Sequence, residues 1–224
     1  MNIKKTIFFF DIDGLLLDSE GIYLKYWVEA AYLEGYILSE EMALELRSLD
    51  SQLAKKLFTS WFNDDSAYEK VRTKRKELMK SFLSKNDYCI KKGALELLLF
   101  LKTKGITLFI VTSNARDAAI TLLEQYELLN YFTDIISTKE CKRGKPYPDA
   151  YEYAISLTKE KYGDDFNYIA IEDSPNGVIS AYYAGCKVVM IPDLTPLTDN
   201  LKPYVYKCFL SLLDFNNYLI NNHK

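Results

Sequence analysis

The chain has 224 residues, a hydrophobic content of 49% and a formal net charge of −3 at neutral pH. This length allows one substantial hydrophobic core with a smaller attached domain, and the composition is typical of a globular protein. The slightly negative charge gives no general attraction to nucleic acid or an anionic membrane, and no segment predicts a transmembrane helix or a signal peptide. We therefore expect a cytoplasmic protein with no nucleic-acid or membrane partner.

Histidine and cysteine offer little for catalysis in this chain. The one histidine is His223, close to the C-terminus, and the four cysteines are scattered without metal-ligand spacing. This argues against serine–histidine or cysteine–histidine catalysis and against a zinc–histidine site. We expect the cysteines to be free thiols.

The first predicted element is a buried strand at residues 7–10, which ends at two carboxylates. The run Ile-Phe-Phe-Phe is followed by Asp11, Ile12, Asp13 and Gly14. Short apolar runs bounded by turn residues are typical of central strands in parallel sheets, whose carboxyl ends border the ligand crevice. Two carboxylates there are costly unless a cation or a reaction requires them. The pattern predicts that Asp11 and Asp13 lie in a functional site.

Residues 19–92 show helical periodicity with no strand or hairpin signal, which predicts a bundle of four helices. We predict an α/β core formed by residues 1–18 and 93–224 and an inserted helical cap domain formed by residues 19–92. Hinges are expected near residues 19–21 and 92–93. Substitutions that stiffen Gly21 or Gly93 are expected to lower turnover with little effect on the fold.

Helices and strands alternate in the rest of the chain. Strands are predicted at residues 106–111, 133–136, 167–171 and 187–191, with an edge strand at 204–208. Helices are predicted at residues 94–102, 115–126, 149–157, 175–184 and 211–220. Repeated strand–helix units indicate a Rossmann-like, doubly wound parallel sheet. The predicted fold class is therefore α/β with an inserted α-helical bundle.

Polar residues follow three of the predicted strands, and a basic loop follows a fourth. They are Asp11 and Asp13, Thr112 with Ser113 and Asn114, Glu172 and Asp173, and Lys145 in the loop. Because parallel strands share one polarity, we expect these groups to meet at one edge of the sheet. Asp11 and Asp173 would form an oxygen-rich pocket suited to Mg²⁺. Glu172 and the main-chain carbonyl of Asp13 are further candidate ligands.

The remaining groups at this edge suit phosphate binding. Thr112 supplies a hydroxyl, and the main-chain amides of Ser113 and Asn114 at the start of a helix form an anion site. Lys145 adds a positive charge.

A carboxylate nucleophile would complete this chemistry. In such a reaction Asp11 would attack phosphorus and form an aspartyl-phosphate, while the cations would neutralise the repulsion between the two anions. Asp13 protonates the leaving oxygen and then takes a proton from the water that attacks the intermediate.

Four sequence motifs resemble those of the haloacid dehalogenase superfamily. They are DIDGLLLDSE at residues 11–20, VTSN at 111–114, KPYPD at 145–149 and IEDSPNG at 171–177. In this order they are similar to phosphohydrolases with a helical cap, close to the β-phosphoglucomutase-like branch. The resemblance implies that Asp11 is the nucleophile and Asp13 the acid/base. It also implies that Asp11, Asp13 and Asp173 bind Mg²⁺, that Thr112 and Lys145 bind the phosphoryl group, and that Glu172 acts on the metal indirectly or through water.

Specificity is expected to come from the cap. Glu20 and Tyr23 follow the first predicted hinge. Arg47, Asp50 and Ser51 lie in a predicted cap loop that would face the site.

A basic run in the fourth predicted cap helix has two interpretations. It contains Lys70, Arg72, Lys74, Arg75, Lys76 and Lys80. A solvated helix face is favoured, because charged residues are mostly exposed. The alternative is that Lys74 or Arg75 reaches a second anionic group of the substrate.

The preferred function is that of a monomeric, Mg²⁺-dependent phosphatase for a small phosphorylated metabolite, and the resemblance suggests a sugar phosphate. Phosphosugar mutases of the same branch carry a histidine near the position of Tyr23 and an arginine near Ser51, and this chain has neither. Hydrolysis is therefore preferred to the mutase alternative. Dehalogenation would leave Asp13 and Asp173 without a role. A phospho-acceptor signalling protein would place its acceptor at a later strand, and the full set of catalytic residues argues against a binding protein derived from an inactive enzyme.

Overall fold

A computed structural model of the chain describes residues 3–222, so His223 lies outside the described residues. The strands are β1 (Thr6–Phe10), β2 (Leu108–Thr112), β3 (Asp134–Ser137), β4 (Asn167–Glu172), β5 (Lys187–Met190) and β6 (Lys207–Cys208). Within residues 3–222 these six strands form one sheet in the order β3–β2–β1–β4–β5–β6. All neighbouring pairs are parallel, and Phe10 lies level with Ile110 on one side and Ile171 on the other. The predicted doubly wound parallel sheet is confirmed.

The central strand β1 is buried because helices cover both faces of the sheet. Alternate side chains of a strand point to opposite faces. Phe8 and Phe10 accordingly join one hydrophobic cluster, and Ile7 and Phe9 join another on the opposite face. These four side chains are 0% exposed, which explains why the strand has no polar alternation.

Nine α-helices are found among the described residues. Four lie between β1 and β2: α1 (Glu20–Leu33), α2 (Glu40–Glu45), α3 (Ser51–Phe62) and α4 (Ala67–Leu83). The others are α5 (Ala94–Thr103), α6 (Arg116–Gln125), α7 (Asp149–Tyr162), α8 (Pro175–Tyr183) and α9 (Leu212–Asn222). In the described part of the chain, none of them has both the length and the apolar character needed to cross a bilayer.

Helices α1 to α4 pack around a hydrophobic cluster of their own. Trp27 of α1, Phe58 of α3 and Tyr68 of α4 meet there with ring centroids 5.4–6.1 Å apart. The four helices are those expected from the periodicity. The division of the chain into domains at residues 18/19 and 92/93 stays a prediction.

Most element boundaries differ from the predicted ones by one or two residues, and those of α7 and β6 differ by more. Helix α7 continues five residues past its predicted end at 157 and ends before Gly163, whose positive φ of 87° terminates it. Helix α6 begins at Arg116, one residue after the predicted start. Strand β6 has only two residues, since only Lys207 and Cys208 pair with β5.

The two predicted hinge glycines have different surroundings. Gly93 has a positive φ of 89°, and a Cβ there would overlap the main chain of Leu213 in α9. Gly21 lies in the first turn of α1, and a Cβ there would meet nothing within 4 Å. The expectation that Gly93 could be stiffened with little effect on the fold is therefore wrong, because a side chain at that position disturbs core packing.

Candidate active site

Lys145 connects groups at the carboxyl ends of β1, β2 and β4. Its Nζ donates hydrogen bonds to Asp11 Oδ1 at 3.0 Å, to Glu172 Oε1 at 2.7 Å and to the carbonyl oxygen of Val111 at 3.1 Å. Lys145 is 0% exposed. Burial alone would lower its pKa, but Asp11 and Glu172 outweigh that effect and raise the pKa of Lys145. The lysine therefore stays charged beside Asp11.

Asp13 is positioned by two hydrogen bonds to its carboxylate. Ser19 Oγ donates to Asp13 Oδ1 and Asn114 Nδ2 donates to Asp13 Oδ2, each at 2.7 Å. Burial and the nearby charge of Asp11 raise the pKa of Asp13 to about 6, although the two hydrogen bonds work in the opposite direction. A carboxyl with this pKa can both give and take a proton near neutral pH.

Three carboxylates form a cluster that could bind a cation. Oxygens of Asp11, Glu172 and Asp173 all lie within 4.8 Å of one another. Within the described residues, Glu172 Oε2 and Asp173 Oδ1 are buried without a hydrogen-bond partner. Burial raises the pKa of Asp173, and the positive charge of Arg47 lowers it without outweighing that effect. Glycines border the cluster, because a Cβ at Gly14 would overlap Asp173 and one at Gly177 would overlap Glu172.

The side chain of Asp13 is not part of this carboxylate cluster. Its carboxylate is occupied by Ser19 and Asn114. A metal-binding role for Asp13 therefore rests on its main-chain carbonyl and stays a prediction.

Arg47 connects the helical segment to the acidic cluster. The Nη2 atom of Arg47 contacts Asp173 Oδ2, and its Nε lies 3.3 Å from Glu20 Oε2. Its Nη1 donates to Thr195 Oγ1 at 3.0 Å, and its carbonyl oxygen accepts a hydrogen bond from Asn176 Nδ2 at 2.8 Å. Arg47 is 4% exposed, so it lies inside the site and not on an open loop surface.

The predicted phosphate site is only partly as expected. The main-chain amide of Asn114 donates to Thr112 Oγ1 at 3.1 Å, so this amide is already engaged. Ser113 and Asn114 lie in the loop before α6 and not at its first turn, because that helix begins at Arg116. The Ser113 Oγ lies 3.5 Å from the carbonyl oxygen of Ser48. Both residues still line the cavity described next.

A cavity of about 420 Å³ separates these groups from the helical segment. Asp11 and Asp13 line one part of it, together with five of the predicted specificity residues: Glu20, Tyr23, Arg47, Ser51 and Arg75. Its volume is within the range of small-molecule sites, about 300–1,000 Å³. The structure therefore brings most of the predicted residues to one space.

Lys74 and Asp50 do not line the cavity. The Nζ of Lys74 lies 2.8 Å from Glu77 Oε2 on an exposed part of α4, so of the two residues in the alternative interpretation only Arg75 lines the cavity. Asp50 instead caps α3 by accepting a hydrogen bond from the amide of Gln52 at 2.8 Å. Its other oxygen accepts from the amide of Gly144, also at 2.8 Å. Both side chains are held by protein partners.

Several residues at the site were missed by the sequence analysis. Tyr151 Oη donates to Glu172 Oε1 at 2.5 Å from the buried side of α7, and no sequence pattern distinguishes it from a core tyrosine. Asp193 lies 3.7 Å from Arg47 and 2.6 Å from Lys91. It follows β5, so the rule applied to the other strand ends could have found it.

The chain is similar to several known proteins. A family model described as haloacid dehalogenase-like hydrolase matches residues 8–191. The chain is 29% identical over 213 residues to (DL)-glycerol-3-phosphatase 1, mitochondrial, of Arabidopsis thaliana, covering 92% of this chain and 70% of that protein. It is 26% identical over 183 residues to a phosphorylated carbohydrates phosphatase of Thermotoga maritima, covering 79% and 80% of the two chains. A solved β-phosphoglucomutase from Clostridium difficile has the same fold, with a TM-score of 0.70 at 20% identity over 97% of this chain and 96% of that one.

Proposed function

The chain belongs to the haloacid dehalogenase-like hydrolases, and we propose that it is a Mg²⁺-dependent phosphatase for a small phosphorylated metabolite, with sugar phosphates as the expected class. The observation that carries this proposal is the position of Asp11 beside the charged Nζ of Lys145, at 3.0 Å, with Asp13 lining the same cavity. The names of the two relatives described above, both phosphatases, support the reaction type.

The residues around Asp11 fit a magnesium ion. Three carboxylates offer oxygen ligands within 4.8 Å of one another, and two of their buried oxygens are unpartnered in the described part of the chain. Mg²⁺ prefers oxygen ligands of this kind. Asp11, Asp173 and the main-chain carbonyl of Asp13 would hold the ion, and Glu172 would act through water. When bound, the ion supplies positive charge to the phosphoryl oxygens.

The first chemical step transfers the phosphoryl group to Asp11. A carboxylate oxygen of Asp11 forms a bond to phosphorus as the bond from phosphorus to the leaving oxygen breaks. Asp13 gives its proton to that leaving oxygen. Lys145 and the hydroxyl of Thr112 bind the phosphoryl oxygens, so that their charge is balanced as the bond forms.

The second step returns Asp11 to its starting state. Asp13, now ionised, takes a proton from a water molecule that attacks phosphorus. The bond between phosphorus and Asp11 breaks, and inorganic phosphate is released. The same carboxyl serves as acid and then as base, which suits a pKa of about 6.

The cavity lining favours hydrolysis over the mutase reaction. Tyr23 and Ser51 line the cavity. The mutases of this branch are expected to carry a histidine near the position of Tyr23 and an arginine near that of Ser51. A mutase must bind a bisphosphate intermediate and turn it over without losing the phosphoryl group to water. The described lining contains Arg47 and Arg75 but no histidine, so the preference for transfer to water rests on the missing histidine.

Phosphate release tests this proposal. Purified protein with Mg²⁺ is expected to release phosphate from p-nitrophenyl phosphate and from sugar phosphates. Asp11→Asn is expected to lower kcat by about 10⁴-fold or more, since the nucleophile is lost. The control is Asp199→Asn, the same substitution at a surface position, because the Asp199 side chain is 91% exposed. Activity that survives Asp11→Asn or chelation of Mg²⁺ would exclude this mechanism, and faster isomerisation than phosphate release would indicate a mutase.

A further inference from the structure

We propose that the substrate carries a second anionic group, a phosphate or a carboxylate, which binds at a cationic subsite formed by Arg72, Arg75, Lys76 and Lys139; this inference rests on the proposed phosphatase function. All four side chains line the cavity that also contains Asp11 and Asp13. Three come from α4 and the fourth from the segment after β3.

Arg75 is the central residue of the cationic subsite. Its guanidinium carbon lies 4.2 Å from the ring centroid of Trp27 and 5.1 Å from that of Tyr23. Within the described residues, its Nε atom is buried and has no hydrogen-bond partner. A guanidinium stacked on aromatic rings is held in place and keeps its N–H groups available for a planar or tetrahedral anion.

The charge of the cationic subsite is poorly balanced by the protein. Glu69 is 3.5 Å from Arg72, but no ion pair within 4.0 Å includes Arg75, Lys76 or Lys139 in the part of the chain that the structure describes. Arg72 is the main cause of a lowered pKa at Lys76, and it adds to the effect of burial at Lys139. A bound anion would relieve this repulsion.

Nearby acidic groups are engaged elsewhere. The carboxylate of Asp50 accepts hydrogen bonds from the amides of Gln52 and Gly144. Glu20 lies 3.3 Å from the Nε of Arg47. The cationic subsite therefore presents net positive charge to the cavity that Asp11 and Asp13 also line.

Lys74 provides an internal contrast. It precedes Arg75 in the same helix but pairs with Glu77 outside the cavity. Replacing either residue removes one positive charge from α4, yet only one of them faces the cavity. The pair separates a specific contact from a general effect of net charge.

The test compares substrates that differ by one anionic group. One arm uses fructose 1,6-bisphosphate against fructose 6-phosphate, and the other uses 3-phosphoglycerate against glycerol 3-phosphate, so the arms distinguish phosphate from carboxylate. In each arm, kcat/KM for the substrate with two anionic groups is divided by kcat/KM for the substrate with one. This ratio is measured in wild type, Arg75→Gln, Arg75→Lys and Lys74→Gln. We expect a ratio of about ten or more in at least one arm, since a charge-assisted hydrogen bond contributes roughly a tenfold effect or more.

Arg75→Gln is expected to reduce that ratio about tenfold, Arg75→Lys to restore part of it, and Lys74→Gln to leave it unchanged. If Arg75→Gln does not fold, as judged by thermal unfolding, Lys76→Gln is measured in its place with the same direction of change expected. A ratio near one in both arms for an otherwise active wild type, or equal ratios in the Arg75 and Lys74 variants, would overturn this inference alone. No phosphate release from any substrate, p-nitrophenyl phosphate included, would overturn the proposed function and the inference together.

Discussion

Asp50 and Gly144 join the helical segment to the α/β core next to Lys145. The carboxylate of Asp50 accepts a hydrogen bond from the amide of Gly144 at 2.8 Å. The amide of Asp50 donates to the carbonyl oxygen of Lys145 at 2.7 Å. The loop before α3 is therefore bonded to the main chain of Lys145, whose side chain contacts Asp11 and is proposed to bind phosphate.

Removing this connection should affect turnover beyond its effect on stability. Asp50→Ala deletes the helix cap of α3 and the bond to Gly144, and it is expected to lower stability by about 0.5–2 kcal/mol and kcat/KM by about tenfold. Ser39→Ala is the matched control, since Ser39 caps α2 through the amide of Met42 and has no bond to Gly144. Equal kcat/KM values in the two variants would show that the connection has no functional role.

Asp13 should matter most for substrates with poor leaving groups. Its pKa of about 6 means that the protonated form prevails below that pH and is lost above it. We expect kcat/KM for an alkyl phosphate to fall above pH 6 relative to that for p-nitrophenyl phosphate, whose leaving group needs no proton. Asp13→Asn should abolish this difference and slow the alkyl phosphate by about 10²–10⁴-fold. Parallel pH profiles in the wild type would argue against Asp13 as the acid.

Mg²⁺ should stabilise the folded protein. A ligand that binds only the folded state at 100 times its Kd adds about 2.7 kcal/mol, which is roughly 5–10 °C in Tm for a chain of this size. Thermal unfolding with and without Mg²⁺ measures the shift. Asp173→Asn should reduce it strongly, because Asp173 belongs to the carboxylate cluster, whereas the exposed Asp199→Asn should not. An identical shift in both variants would place the ion elsewhere.

Tyr151 should act on metal affinity through Glu172. Its hydroxyl donates to Glu172 Oε1, the oxygen that Lys145 also contacts. Tyr151→Phe removes that bond with little change in volume, and outer partners of metal sites typically change metal affinity about 10–100-fold. A titration of Tm against Mg²⁺ concentration measures this effect. Tyr153→Phe, on the exposed side of the same helix, is the control.

Gly93 and Gly21 should respond in opposite ways to alanine. Gly93→Ala places a methyl group against Leu213 at a positive φ and is expected to cost about 1–3 kcal/mol. Gly21→Ala has free space inside α1 and should be neutral or stabilising by up to about 1 kcal/mol. Chemical unfolding measures the free energy of unfolding of the two variants. Equal, small changes in both would instead favour two flexible hinges.

The sheet and its strand-end residues were predictable, because backbone polarity alone brings the ends of parallel strands together. Asp11 and Lys145 are 134 positions apart. Asp11 directly follows a predicted strand, and Lys145 lies in the loop between another predicted strand and the next helix. The side-chain orientations at the site depend on tertiary packing and could not be predicted from the sequence. Lys74 and Arg75 are adjacent in one basic run, and only the packing of α4 against Trp27 determines which of them faces the cavity.

Asp50 is a second residue whose contacts could not be predicted from the sequence. Its place in a loop before α3 was clear from the sequence, but its second oxygen bonds to Gly144, which lies 94 positions away. No local pattern predicts a contact between two irregular segments. Its hydrogen bond to the core is therefore visible only in the folded structure.

The stacking of Arg75 on Trp27 gives this protein a natural optical probe. Trp27 is one of two tryptophans in the chain, and its indole lines the cavity while Trp61 packs among the rings of α3. Indole emission responds to charge at its face, so an anion that neutralises Arg75 changes the fluorescence of Trp27. In a Trp61→Phe background, ligand occupancy could then be followed in real time without any label.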